Sequence, residues 1–208
     1  MTISVILPVL APTPFLRAMT EFSIKTLCAH ADAPFELIVV EAEYRHFECP
    51  SSTYDEDPRT EIDKYLNFNP KQGCIREFNA GLDAASGEFL VSTGNDVIAP
   101  PGWDTELLRI FSAHADCGAA CLAAMEPGAI VGPHHDAERR NVRQPEVGDV
   151  DEVEGMFSPF MMYRKGWRLD DAFVKTYSDS DLVMRMHEKG LRCYRSCGLF
   201  VHHLARMT

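Results

Sequence analysis

Apolar residues fall in short continuous runs along this chain, and stretches with helical spacing separate them. Residues 3–10 are nearly all apolar or β-branched, and Pro12 and Pro14 stop the run. Such a run predicts a strand buried on both faces. Residues 15–30 then place Phe15, Leu16, Met19, Phe22, Ile24 and Leu27 near helical intervals. Residues 35–40 predict a second buried strand, which ends in Glu41. Strand, helix and strand joined by short turns imply a parallel, right-handed βαβ unit. Further along, residues 65–68 predict a short strand, 75–85 a helix and 88–93 another buried strand.

The second half repeats this alternation less regularly. Residues 103–114 predict a helix with Asp104 and Glu106 in its first turn, where the helix dipole favours acids. Residues 118–125 predict an apolar strand. An apolar stretch over 153–163 is followed by a turn at Arg164-Lys165-Gly166-Trp167. Residues 178–189 predict a helix, with Gly190 just past its end. Residues 191–196 and 199–202 predict two closing strands. Two segments lack periodicity. Residues 42 to 63 are polar and acidic, a long loop of the kind usually tied to function. Residues 126–150 hold prolines, glycines and Arg139-Arg140 and predict a flexible excursion. The whole predicts one α/β domain without repeats or low-complexity tracts.

Composition narrows the functions open to this fold. The 208 residues suit a single domain that buries about 70% of its unfolded surface. A net charge of -11 argues against a nucleic-acid partner, which needs a basic face. A phosphorylated small substrate remains compatible, because a divalent cation offsets the repulsion. No apolar run reaches the length of a membrane span, and Met1-Thr2 leads directly into the first strand. The sequence therefore predicts no leader and no transmembrane segment. The predicted location is cytoplasmic, free or peripheral at the inner face of a membrane. The seven cysteines are scattered, as expected of reduced thiols. Cys193 and Cys197 with His202 and His203 match no standard zinc spacing.

Candidate chemistry sits at strand ends. The segment over 87–96 runs from Gly87 through an apolar strand into Gly94-Asn95-Asp96, and Pro100-Pro101-Gly102 follows. An acid at the carboxyl end of such a strand lies on the rim where open α/β sheets bind ligands. Upstream, Asn79-Ala80-Gly81 lies in a helix after Gly73. Downstream come Tyr177-Ser178-Asp179-Ser180-Asp181-Leu182 and the strand Phe200-Val201-His202-His203. With the first strand and its Pro8, and the second strand ending in Glu41, this ordered set resembles the family 2 glycosyltransferases of GT-A fold. The resemblance covers nearly the whole chain. It implies an α/β, GT-A (Rossmann-like), mostly parallel sheet flanked by helices. Residues 1–98 would form a nucleotide-binding half and 99–208 an acceptor-side half.

The resemblance also implies roles. Asp96 would hold a divalent metal, Mn2+ or Mg2+, bridging the donor diphosphate, with His202 completing the metal site. Pro8, Glu41, Asn79, Asn95 and Asp96 would line the site of a nucleotide-sugar donor of UDP, GDP or dTDP type. Asp179 would be the general base of an inverting transfer to an acceptor hydroxyl on a glycan, a lipid-linked sugar or a small molecule. Contacts to that acceptor would come from residues near 126 to 177 or from a partner. Arg139, Arg140 and Arg143 could close over phosphates.

Each role has a plainer reading. Asp96 could cap a turn, Asp179 could cap a helix, Glu41 could be a solvated strand-end acid, and Asn79 could brace a loop. Asp181 is a second candidate base, but its spacing to Arg185 suits an i,i+4 ion pair. The chain departs from the family at Gly94, Ala42 and Ser178, where acids are common. A second reading therefore stands beside the enzyme: a non-catalytic GT-A domain that binds a nucleotide, sugar or protein. A nucleotidyltransferase is a third, weakened because Ala11-Pro12-Thr13-Pro14 is not a Gly-rich phosphate loop.

Overall fold

The computed structural model describes residues 1–42, 62–68, 70–125, 148–154, 159–173 and 178–204. The first βαβ unit forms as expected. Strand β1 (Ile3–Val9) leads into α1 (Pro14–Ala29), and β2 (Glu36–Ala42) pairs parallel to β1. Helix α1 starts where the sequence provides a cap: Thr13 Oγ1 accepts from the Leu16 N–H at 3.2 Å, and Pro14 follows at the first helical position. Strand β3 (Lys64–Phe68), helix α2 (Cys74–Ala84) and strand β4 (Phe89–Thr93) come next.

Strand β5 (Val97–Ile98), helix α3 (Trp103–Ala113), β6 (Cys117–Met125) and β7 (Val150–Glu152) follow. The chain then forms β8 (Phe160–Arg164), helix α4 (Ser178–Glu188) and β9 (Arg192–His203). Most of the predicted loop after β2 and of the excursion over 126–150, with Arg139, Arg140 and Arg143, lies outside the described residues.

Among the described residues the nine strands form one sheet in the order β3-β2-β1-β4-β8-β6-β9-β5, with β7 also on β9. The half from β3 to β4 is parallel. Strand β8 runs antiparallel to both β4 and β6, while β6 and β9 are parallel. Strands β2 and β3 lie to one side of β1 and β4 lies to the other. This is a topological switch point, and the crevice beyond the carboxyl ends of β1 and β4 is where such sheets bind ligands.

Two apolar layers flank the sheet. One packs Val5, Leu7, Val39 and Val91 against Ile24, Leu27, Trp103 and Leu107 of α1 and α3. The other packs Ile6, Ile38, Val40 and Leu90 against Phe78 and Leu82 of α2 and Leu182, Val183 and Met186 of α4. Gly81 brings α2 very close to the sheet, because an added Cβ would lie 2.6 Å from Ile6 Cγ2 and 3.0 Å from Val40 Cγ2.

The closing strands differ from expectation. The predicted pair over 191–196 and 199–202 is one strand, β9. Leu122 pairs with Ser196 and Ala123 with Phe200, so one step on β6 spans four on β9. The surplus at Cys197, Gly198 and Leu199 is a bulge, which looks like a break in the apolar pattern. Buried Glu106 of α3 holds this region. It accepts from Ser196 Oγ at 2.7 Å and from Arg109 Nε and Nη2 at 2.8 and 3.0 Å.

Candidate functional site

Asp96 lies just past β4, at the switch point. The chain turns through Gly94-Asn95-Asp96 and then forms β5, which pairs antiparallel with the last residues of β9. That pairing sets Val97 opposite His203 and Ile98 opposite His202. Adjacent strand residues face opposite sides. His203 thus reaches Asp96, with Nε2 3.4 Å from Oδ2, and each side chain is 16% exposed. His202 is exposed. The histidine beside Asp96 is therefore His203 and not His202, because register rather than sequence order decides which ring turns inward. The Leu204 N–H also donates to the Asp96 carbonyl at 2.9 Å, which fixes the end of β9 on this turn.

Gly94 has a specific consequence. A Cβ at that position would lie 2.6 Å from Asp96 Oδ1, so the carboxylate folds over the space a side chain would fill. Asn95 turns toward α1, where its Nδ2 donates to Thr20 Oγ1 at 3.0 Å. Its amide braces the turn against the helix.

Glu41 closes β2 and is fully buried. Its Oε2 accepts from Tyr65 Oη at 2.6 Å, and Asn67 Nδ2 donates to both the Glu41 carbonyl and Tyr65 Oη at 3.3 Å. The solvated strand-end acid is not what the fold forms here. Tyr65 and Asn67 gave no sequence signal, since only the β2–β3 register places them beside Glu41. Pro8 is partly buried and pairs with Val40, whereas Val9 pairs with Glu41. Pro8 and Glu41 therefore face opposite sides of the sheet.

Asn79 is placed differently from the donor-lining role. It is 1% exposed and lies five residues into α2, about 7.5 Å along the axis from the first helical residue. Its Nδ2 donates to the Leu169 carbonyl at 2.9 Å and to Asp171 Oδ1 at 2.7 Å, and its Oδ1 accepts from the Leu169 N–H at 3.1 Å. The amide is occupied by the chain itself and braces the segment before α4.

Asp179 stands in the first turn of α4, with Oδ1 accepting from the Ser180 N–H at 2.9 Å. Asp181 pairs with Arg185 Nε at 2.8 Å, the expected i,i+4 contact. That separates the two candidates: Asp181 is committed to an ion pair, whereas the hydrogen bond found for Asp179 is local. Cys117 and Cys193 are buried thiols. Burial pushes the Cys193 thiol up to about 11 and, with Cys193 and Asp116 adding to it, the Cys117 thiol up to about 12, while ligation needs the thiolate. Among the described residues there is no group of three or more His, Cys, Asp or Glu side chains placed to hold a metal. No helix among them is long and apolar enough to cross a membrane.

Comparison with solved structures defines the class of fold. The chain resembles S. aureus TarS residues 1–349 in complex with UDP-GlcNAc, with a TM-score of 0.68 and 18% identity over 98% of this chain and 58% of that one. It resembles the mannosyltransferase PcManGT from Pyrobaculum calidifontis in complex with GDP-Man and Mn2+, at 0.67 and 16% over 97% of this chain and 56% of that one. GalNAc-T7 with UDP, GalNAc and Mn2+ aligns at 0.72 and 11%, over 98% of this chain and 44% of that one. The protein has the GT-A glycosyltransferase fold. It spans less than two thirds of each of these chains. No protein-family model and no curated protein sequence matches it.

Proposed function

We propose that this chain is a metal-dependent glycosyltransferase. It moves a sugar from a UDP, GDP or dTDP donor to an acceptor hydroxyl, with inversion and with Asp179 as general base. The observation that supports this most is the Asp96–His203 pair at the switch point of a GT-A sheet. The similar structures hold UDP-GlcNAc, GDP-Man or UDP, two of them with Mn2+, on the same fold.

The pair fits a divalent cation. Cation–ligand bonds near 2.1 Å put neighbouring donors about 3 Å apart, close to the observed 3.4 Å. Asp96 and His203 would supply two ligands, and diphosphate oxygens and water the remainder. The bound cation would neutralise the charge that builds on the diphosphate as it leaves. The first 98 residues would hold the nucleotide, with Glu41, Pro8 and Asn95 shaping the floor around it, and the rest would serve the acceptor. Asp179 would take the proton of the acceptor hydroxyl as its oxygen attacks the anomeric carbon. The carbon–oxygen bond to the diphosphate breaks, and its electron pair departs with the phosphate.

The test is a screen of UDP-, GDP- and dTDP-sugars for metal-dependent turnover with Mn2+ or Mg2+. Asp96→Ala should abolish metal-dependent binding of the nucleoside diphosphate and leave the fold intact. Calorimetry that shows unchanged affinity in this variant would remove Asp96 from the metal site. A non-catalytic domain would bind nucleotide with metal yet release no sugar from any donor.

A further inference from the structure

The segment over 165–173 climbs between α2 and α4. Strand β8 runs antiparallel to β4, so it ends at the amino-terminal edge of the sheet, away from the switch point. Helix α4 leads into β9, which runs parallel to β6, so α4 starts at the carboxyl edge and descends. The described part of this connection, residues 165–173, rises along both helices toward the edge where α4 starts. It is pinned as it rises. Lys165 donates from Nζ to the Ala85 carbonyl at 2.6 Å and from its N–H to Glu88 O at 2.8 Å. Arg168 pairs with Asp83 of α2 at 2.7 Å, and its carbonyl accepts from Arg185 Nη2 of α4 at 2.8 Å. One helical turn higher on α2, Asn79 holds Leu169 at both N–H and carbonyl and holds the Asp171 carboxylate.

The geometry points to Asn79 and Arg185 as positioning residues that set the height of Asp179 above the sheet. This rests on the transferase reading for its catalytic consequence, but not for its structural one. Asn79 is a buried amide with both ends used, and its three hydrogen bonds go to two residues of the climbing segment, Leu169 and Asp171. Arg185 uses two different nitrogens, one on Asp181 in the first turn of its own helix and one on Arg168 of the segment. It therefore ties the start of α4 to the strap that precedes it. The carboxylate of Asp179 acts only within hydrogen-bond reach of the acceptor, so an error of about 1 Å in its placement is costly. On this inference neither Asn79 nor Arg185 touches the donor, since the hydrogen bonds of both side chains among the described residues stay within the chain.

The test uses the full chain and two independent variants, Asn79→Ala and Arg185→Met. Hydrogen exchange of the amides over 178–182 should speed up at least tenfold in both, while exchange over α3 stays at the wild-type rate. Affinity for UDP or GDP with Mn2+, measured by calorimetry, should stay within about twofold. Turnover of the active donor should fall roughly 10–100-fold at unchanged donor KM. Asn79→Asp adds a pH readout. It sets a carboxylate against Asp171, so its turnover relative to wild type should recover as pH falls and the pair takes up a proton. Unchanged exchange at the start of α4 would overturn the inference. So would a loss of nucleotide affinity in Asn79→Ala equal to its loss of turnover, because Asn79 would then act on the donor. If the wild-type chain turns over no donor, the transferase reading fails, and the exchange measurement alone decides the positioning role.

Discussion

Gly81→Ala should destabilise the protein, although alanine is the better helix residue. Glycine in a helix interior costs roughly 1 kcal/mol relative to alanine, so propensity alone favours the substitution. Packing opposes it. The new methyl would lie 2.6 Å from Ile6 Cγ2 and 3.0 Å from Val40 Cγ2. Real Cβ contacts sit well outside the first distance. Neither neighbour can swing away cheaply, since both methyls branch directly from Cβ, where χ1 is stiff. Both residues are fully buried on the two central parallel strands. Relief must come from α2 moving outward by some tenths of an ångström, and overpacking of this kind costs about 1–3 kcal/mol. Setting one against the other gives a net loss of about 0–2 kcal/mol. Urea unfolding should show a lower midpoint at an unchanged slope. The outward shift of α2 also carries Asn79 away from Leu169 and Asp171, so turnover should fall further than stability predicts. A Gly81→Ala variant that is more stable than wild type would refute the close-packing argument, and Asn79-Ala80-Gly81 would lose its packing rationale.

Three further outcomes follow from the site and its surroundings. Asp179→Asn keeps a good helix-start residue and should lower turnover about 10²–10⁴-fold with near-normal nucleotide affinity; wild-type turnover would move the assignment to Asp181. Gly94→Ala should push the Asp96 carboxylate aside and weaken metal-dependent nucleotide binding, while thermal unfolding changes little; equal affinity by calorimetry would show that the carboxylate has room to adapt. The third concerns Glu36, where burial raises the carboxyl but the hydrogen bonds from Lys64, Ser4 and Ser86 outweigh it and hold it at about 2 against an ordinary 4.5. A depressed carboxyl stabilises the fold above its unfolded value, so this contribution should be complete above about pH 5 and fade as pH falls toward 2, and Glu36→Gln should flatten acid unfolding in that window.

The buried parallel strands were legible because they read as unbroken apolar runs with Gly or Pro at their ends. β1, β2 and β4 appeared within a residue or two of their observed bounds, and α1 was legible in the helical spacing of Phe15, Leu16, Met19, Phe22, Ile24 and Leu27, whereas its Thr13 cap emerged only in the structure. β5 and β7 did not, since two or three residues carry no period. β9 was split because its bulge at Cys197-Gly198-Leu199 interrupts the pattern without interrupting the strand. Among site residues, the position of Asp96 at a strand end was legible, since it depends only on local order. The inward histidine was not, since a one-residue choice between His202 and His203 is set by pairing with β5. Asn79 lay on a predicted helix, but its depth below the rim depends on where that helix starts and what rises beside it.

The missing acid at position 94 changes how a metal would bind more than whether it would bind. On the transferase reading, Asp96 and His203 provide two donors to a cation that takes about six. Most of the coordination shell must then come from the donor diphosphate and water. Free metal should bind weakly, and the diphosphate should raise its affinity strongly. Linkage makes this reciprocal: metal must raise nucleotide affinity by the same factor. The coupling suits a chain of net charge -11, which repels a diphosphate until a cation arrives with it. A second carboxylate at 94 would add a metal ligand, but the Asp96 carboxylate would have to turn out of the space its Oδ1 now fills. Coupling of this kind would persist in a non-catalytic domain. Only a loss of turnover at constant coupling, in a variant of Asp179, separates an enzyme from a binding module.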